Sequence, residues 1–321
     1  MKHLSTLGVL LALGLLLFLR FPDFFQYGNS RVIEPWGDGY KTYHAYLYHI
    51  RHDSTLSHFA GMNYPYGEHV VPGDCEPVLS NGVKLLQRIG WSSAPDYALG
   101  MLHFSLLFGV LLSGLFLFLT FRRLELPVWY AALVAIGLTF LAPQVLRLIS
   151  HYGLARLEVL PILFYLLLRY EQQPHWRWGL WMGVVVWIYA GIHFYFFAIA
   201  AFLIFGYFAL RWLLRRDWPR TLTYLAHGSL ALLLPLLFYY WWMIYSDPVT
   251  DRNPVPWGFY AYRAHWEGLF THLGIPHWRW FNEAGVKIRT LDPEAQNYIG
   301  TVAAVFIVVA LLRWRRPAWL R

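Results

Sequence analysis

An acid held between two glycines, in the run Trp36-Gly37-Asp38-Gly39-Tyr40-Lys41, is the stretch of this chain best suited to chemistry. A carboxylate there can take the proton of a hydroxyl that comes within hydrogen-bond reach. Flanking glycines permit the close approach this needs. An Asp just before a helix is also a preferred N-cap, accepting orphan N–H groups of the first turn. Both roles stay open for Asp38, and Lys41 in the same run joins the substrate-binding candidates.

A second acidic run, Pro72-Gly73-Asp74-Cys75-Glu76-Pro77, has the same double meaning. Asp74 is expected to cap the helix that Pro77 opens. The sharper reading pairs Asp74 or Glu76 with Asp38 as a second acid, or as ligands of a divalent cation, which takes carboxylate and water oxygens. No dense ligand motif accompanies them, and His44, His58 and His69 lack metal-ligand spacing.

Further along, Arg147, His151, Arg156 and Glu158 gather where one apolar stretch gives way to the next. Ionisable groups at membrane depth are rare and tend to be functional. An arginine fork suits phosphate, and basic pockets among spans bind lipid headgroups. The plainer alternatives are snorkelling or an Arg156–Glu158 pair, which the i, i+2 spacing disfavours. Near the end, Pro256-Trp257-Gly258-Phe259-Tyr260 offers Trp257 and Tyr260 as faces for a sugar ring; an interfacial aromatic belt explains them equally well. His193, in a tight turn among aromatics, reads as an interfacial turn residue.

These candidates are positioned by a membrane protein. The composition is 58% hydrophobic and only 14% charged, against roughly 25% charged in an ordinary soluble domain. Apolar runs approach or exceed the roughly 20 residues that cross a bilayer as a helix. Spans are expected at 4–21, 98–120, 128–147, 154–169, 178–192, 194–212, 222–245 and 298–313, giving an all-α polytopic protein of about eight spans in one transmembrane domain, 1–321. The first run carries no small-x-small cleavage site and is expected to stay as a span. Arg122-Arg123, Arg169, Arg177, the Arg211–Arg220 stretch and Arg313–Arg321 all fall on one side, while the connections at 148–153 and 190–193 carry no Lys or Arg. By the positive-inside pattern both termini are cytoplasmic, and the long loops 22–97 and 246–297 face out. The +8 net charge follows from that topology, so no nucleic-acid partner is required. A single cysteine, Cys75, excludes an intrachain disulfide.

In the first loop, Tyr40, Tyr43, Leu47 and Ile50 share one helical face. So many Tyr and His residues suit a helix lying in the headgroup layer. The turn formers of 61–69 and an amphipathic stretch ending near Ile89 follow, so the loop reads as helix, turn-rich crossing, helix.

With these pieces together the chain resembles the GT-C superfamily of membrane glycosyltransferases, in a bacterial branch. Three stretches carry the likeness: Trp36-Gly37-Asp38-Gly39-Tyr40-Lys41, then Asn63-Tyr64-Pro65-Tyr66-Gly67-Glu68-His69 through Asp74 and Pro77, and Ser150-His151-Tyr152-Gly153-Leu154 through Pro161 and Arg169. The resemblance implies surface helices in the first outer loop and a bacterial inner-membrane location. It implies a polyprenyl-phosphate sugar donor and a glycan, lipid or protein acceptor. Asp38 would then be the base, and Arg147 or Arg156 the donor-phosphate contact. GT-C enzymes commonly have more spans and a paired Asp-Glu in the first loop; here the base rests on Asp38 alone. A rival reading is a lipid-linked glycan transporter, or a membrane assembly partner. A transporter would be expected to show internal repeats, and no clear repeat is visible.

Overall fold

Pro22 and Pro143 punctuate the apolar sequence and set two of the fold's breaks. The structure, a computed structural model, describes residues 2–33, 37–148, 151–245, 247 and 301–312. It divides into two units, Met1–Val249 and Thr250–Arg321. In the second, α12 (Thr301–Leu312) is an apolar helix; Trp257 and Tyr260 lie outside the described residues.

In the first unit, α1 (Lys2–Arg20) leads into a short α2 (Pro22–Gln26). Next come α3 (Asp38–His52), a two-residue antiparallel pair, and α4 (Pro77–Arg88). The strands are β1 (His58–Phe59) and β2 (Glu68–His69), with His58 opposite His69 and Phe59 opposite Glu68. Asn63 and Gly67 take positive φ in the connecting turn, with Asn63 accepting backbone hydrogen bonds from Tyr66 and Gly67. Helix, turn-rich crossing and helix are therefore present as expected.

The long helices follow: α5 (Ala98–Arg123), α6 (Val128–Leu141), α7 (Pro143–Arg147), α8 (Val159–Gln172), α9 (Trp176–Ile192), α10 (Tyr195–Arg215) and α11 (Trp218–Tyr239). A π-helical stretch, Tyr240–Tyr245, continues α11. Among the described residues, four stretches are long and apolar enough to cross a membrane: Ala94–Arg123, Val128–Arg147, Tyr195–Arg215 and Trp218–Tyr245. The helices at the other expected spans are shorter; α8 has 14 residues and α9 has 17.

Two expected spans are corrected in detail. The helix from Val128 does not run unbroken to 147. Ala142 is extended, at ψ 147, because the ring of Pro143 disfavours helical backbone in the residue before it. The helix expected at 154–169 starts only at Val159, after a 3₁₀ turn at Gly153–Ala155. Arg156 and Glu158 therefore stand on irregular chain that can aim them freely. Pro161 follows in the first turn of α8, where no intrahelical N–H is needed.

The face of α3 that packs inward also differs from the expectation. Tyr40 is exposed, while Thr42, Tyr43, Tyr46, His49 and Ile50 are buried. Tyr46 Oη donates to the Ala98 carbonyl at 3.0 Å, and Tyr43 Oη bonds to His103 Nε2. The Tyr and His content of α3 thus serves to pack it on α5 with its polar ends satisfied. Tyr43, Tyr46, Val83, Leu102 and Tyr152 share one core cluster, which holds α3 and α4 against α5, Leu148 and the 151–155 segment.

α9 and α11 pack most intimately. A Cβ on Gly179 or Gly183 would come within 3.1 Å of the His227 and Ala231 carbonyl oxygens. Lipid tails are as apolar as the helices, so such close backbone approach replaces the hydrophobic effect as the source of helix–helix affinity.

Candidate functional site

Gly37, at φ 54, turns the chain into α3 and makes Asp38 the first helical residue. Asp38 does not cap the helix with its side chain. Its Oδ2 lies 3.3 Å from His151 Nδ1, and the carboxyl is 69% exposed. A residue at the helix N-terminus still benefits from the dipole as a first-turn acid, but the capping geometry is absent.

Asp74 and Glu76 depart further from the expectation. Both sit at positive φ, 56 and 48, an arrangement costly for residues with a Cβ and typical of sites where side chains must be aimed. Asp74 does not cap α4; it accepts from Lys41 Nζ at 2.6 Å. Glu76 occupies the N-cap position of α4 without a capping bond. Its side chain turns inward to Arg156, with Nη2 to Oε2 at 3.4 Å. Arg156 also donates to Ser105 Oγ on α5 at 2.8 Å. Arg156 and Glu158 are not bonded to each other: Glu158 accepts from Gln144 Nε2 at 2.7 Å, and Gln144 in turn accepts from Ser113 at 2.5 Å.

Asp38, Asp74, Glu76, His151, Gly153 and His193 line one small cleft of about 60 Å³. Two segments of the first loop, the 151–154 segment and the α9–α10 connection converge there. Gly153 forms part of its wall; a Cβ there would lie 3.1 Å from His193 Cδ2 and 3.8 Å from Glu76 Oε1. Glu76 Oε1 is buried and has no hydrogen-bond partner among the described residues. Burial pushes the Glu76 carboxyl above the usual carboxylate range, with Arg156 opposing the shift and Asp74 adding to it. Burial holds the His193 imidazole below the ordinary histidine range, Asp74 opposing. Three carboxyls and two imidazoles thus line the cleft, with Lys41 paired to Asp74 and Arg156 paired to Glu76 outside the lining. Carboxyls beside imidazoles can take and pass on a proton.

The sequence candidates divide cleanly. Asp38, Asp74, Glu76 and His151 come together, and Lys41 is tied in through Asp74. Arg156 lies behind Glu76, 4% exposed, and is not part of the cleft lining. Arg147 ends α7, half-buried, and is not among the lining residues, although its carbonyl accepts from the His151 N–H at 3.1 Å. His193, which the sequence reads as an interfacial turn residue, and Gly153 also line the cleft; a polar residue in so tight a turn is a usable signal. Among the described residues, no three His, Cys, Asp or Glu side chains are placed together to hold a metal.

A family model described as a domain of unknown function, DUF6311, matches residues 9–321. No curated protein and no solved structure matches the chain.

Proposed function

The chain belongs to the DUF6311 family, and we propose that this protein is a GT-C-type glycosyltransferase that moves a sugar from a polyprenyl-phosphate donor to an acceptor hydroxyl. The observation that carries the reading is the cleft where Asp38 meets His151 beside Asp74, Glu76 and His193. Counting α1, α8, α9 and α12 with the four long helices gives the eight spans of this reading. The arginine asymmetry supports an outer-face position for the cleft, in the bacterial inner membrane that the GT-C resemblance implies.

In this mechanism Asp38 accepts the proton of the acceptor hydroxyl as that oxygen attacks the sugar's anomeric carbon. His151 beside it steadies the carboxylate and, when protonated, offers a positive charge to the departing phosphate. Stabilising charge that develops on the leaving group is the largest task at such a site. Lys41, held at the cleft by Asp74, supplies a second cation. Arg156 acts through Glu76, which it fixes in place. The cleft is large enough for reacting groups and not for a whole lipid-linked sugar, so donor and acceptor extend beyond it.

The test compares wild type with Asp38→Asn in membranes supplied with labelled polyprenyl-phosphate sugars. Loss of a general base should lower transfer by about 10²- to 10⁴-fold, with the fold intact because Asp38 is exposed. Undiminished transfer would remove Asp38 as base. Movement of the lipid-linked sugar across vesicles without transfer would favour the transporter reading instead.

A further inference from the structure

α3 and α4 run side by side in the same sense. Lys41 meets Asp74 near their starts, while His49 meets Asn81 and Lys84 further along. Both helices begin at the cleft, and both end at a second depression of about 320 Å³ lined by Arg51, Asp53, Ser54, Lys84, Gln87 and Arg88. Asp38 and Arg51 are thirteen helical positions apart, so this depression lies roughly 20 Å from the cleft along α3.

The charges in it do not cancel. Lys84 is buried, and its Nζ donates to the carbonyls of His49, Asp53 and Thr55 at 3.2, 2.8 and 2.5 Å. Three acceptors use all three hydrogens of an ammonium, so Lys84 is a fixed positive charge. Arg88 donates one N–H to the Ser54 carbonyl at 2.8 Å. Among the described residues none of Arg51, Lys84 and Arg88 forms an ion pair. The one acid, Asp53, is already engaged by His49 Nδ1 at 2.8 Å and by the Ala60 N–H at 3.1 Å.

Basic residues at helix C-termini usually answer the helix dipole, about half a negative charge at each end. Two helix ends and Asp53 offset about two of the three cations, leaving roughly one positive charge unanswered. Arg51 and Arg88 are exposed, with N–H groups free to reach a ligand.

The apolar surface beside the depression points to the source of that ligand. Ile89, directly after Arg88, is 80% exposed, and Leu85, Trp91 and Tyr97 are exposed as well. Trp91 and Tyr97 pack at 6.0 Å between ring centroids. Bare apolar and aromatic groups beside a basic pocket are the arrangement found at the headgroup level of a bilayer.

We propose that the Arg51–Lys84–Arg88 depression binds the phosphate of an anionic lipid headgroup, at a site separate from the cleft. Arg51 and Arg88 fork onto the phosphate oxygens, and Lys84 supplies charge from beneath. The proposal does not depend on the glycosyltransferase reading; it stands on a charge surplus next to an exposed apolar and aromatic edge.

Hydrogen–deuterium exchange of the purified full chain in detergent tests it by location. The probes are short-chain phosphatidylglycerol, short-chain phosphatidylcholine and inorganic phosphate. Phosphatidylglycerol should protect peptides covering residues 49–56 and 84–91 in wild type. The apparent affinity should fall at least tenfold in Arg51→Gln/Arg88→Gln, and less in Arg51→Lys/Arg88→Lys, which keeps the charge and loses the fork. Circular dichroism and the unliganded exchange pattern establish that the variants are folded. Protection by phosphatidylglycerol well above that by inorganic phosphate at equal concentration assigns a lipid source. Equal protection by both keeps the phosphate site but overturns the lipid assignment. Equal protection in wild type and the glutamine variant, or none in either peptide, overturns the site.

Discussion

Glu76 is the residue whose environment differs most from what its sequence context suggests. In the chain it reads as an acid before a helix; in the fold it is 2% exposed and pairs with Arg156 from eighty positions away. Removing one member of a buried ion pair strands the other charge. Glu76→Leu should therefore lower unfolding stability by about 3–5 kcal/mol, read as a drop in thermal midpoint in detergent. Glu76→Gln, which keeps an acceptor for Arg156, should lose clearly less. The pH dependence follows from the raised carboxyl. Folded Glu76 binds its proton more tightly than the unfolded chain does, whose value is about 4.3. From there up to the folded value the native state carries more protons, so this residue's contribution to stability falls as pH rises. Midpoints measured across that window should lose part of their downward slope in Glu76→Gln. Gly153 gives a steric test: a side chain there meets His193 and Glu76 across the cleft wall. Gly153→Val should abolish labelled-sugar transfer while leaving the thermal midpoint near wild type.

At the scale of elements, periodicity located α3 and α4 well, because their buried stripes recur at helical spacing. It could not choose the buried face of α3, since tyrosines stand on both sides and only contact with α5 separates Tyr43 from Tyr40. Hydropathy likewise joined α6 to α7 and started α8 early, because side-chain polarity is blind to the backbone limits that Pro143 imposes. The α9–α11 pair was legible as two spans but not as partners. Its closeness depends on Gly179 and Gly183 lying under α11 backbone. Gly183→Leu should overpack this interface and cost about 1–3 kcal/mol. Gly206, on α10 with none of the described residues outside its own helix within 4 Å of its Cβ, is the control: Gly206→Leu should leave the midpoint unchanged within error.

For the whole molecule, the arginine asymmetry makes an orientation prediction that labelling can check. Cys75 is fully buried, so the natural chain should resist an impermeant maleimide, and single cysteines can be added without removing it. Tyr64→Cys, at a position 93% exposed in the first loop, should label in intact cells. Arg216→Cys, between α10 and α11, should label only after permeabilisation. The reverse pattern would invert the topology and move the cleft to the cytoplasmic face.

Composition and charge order alone carried the membrane class, the helical class and the expected sidedness, because those depend on sums over long segments and not on contacts. They also put Asp38, Asp74, Glu76 and His151 among the candidates, since acids beside glycines or prolines stand out locally. Only tertiary structure decided what each does. It turned the Asp38 and Asp74 caps into pairings with His151 and Lys41, withdrew Arg156 behind Glu76, and brought in His193. It also grouped Arg51, Lys84 and Arg88 at the far ends of two helices. The reason is physical: hydrogen bonds and ion pairs act over about 3 Å, and which groups come that close is set by how helices pack, far from one another in the chain.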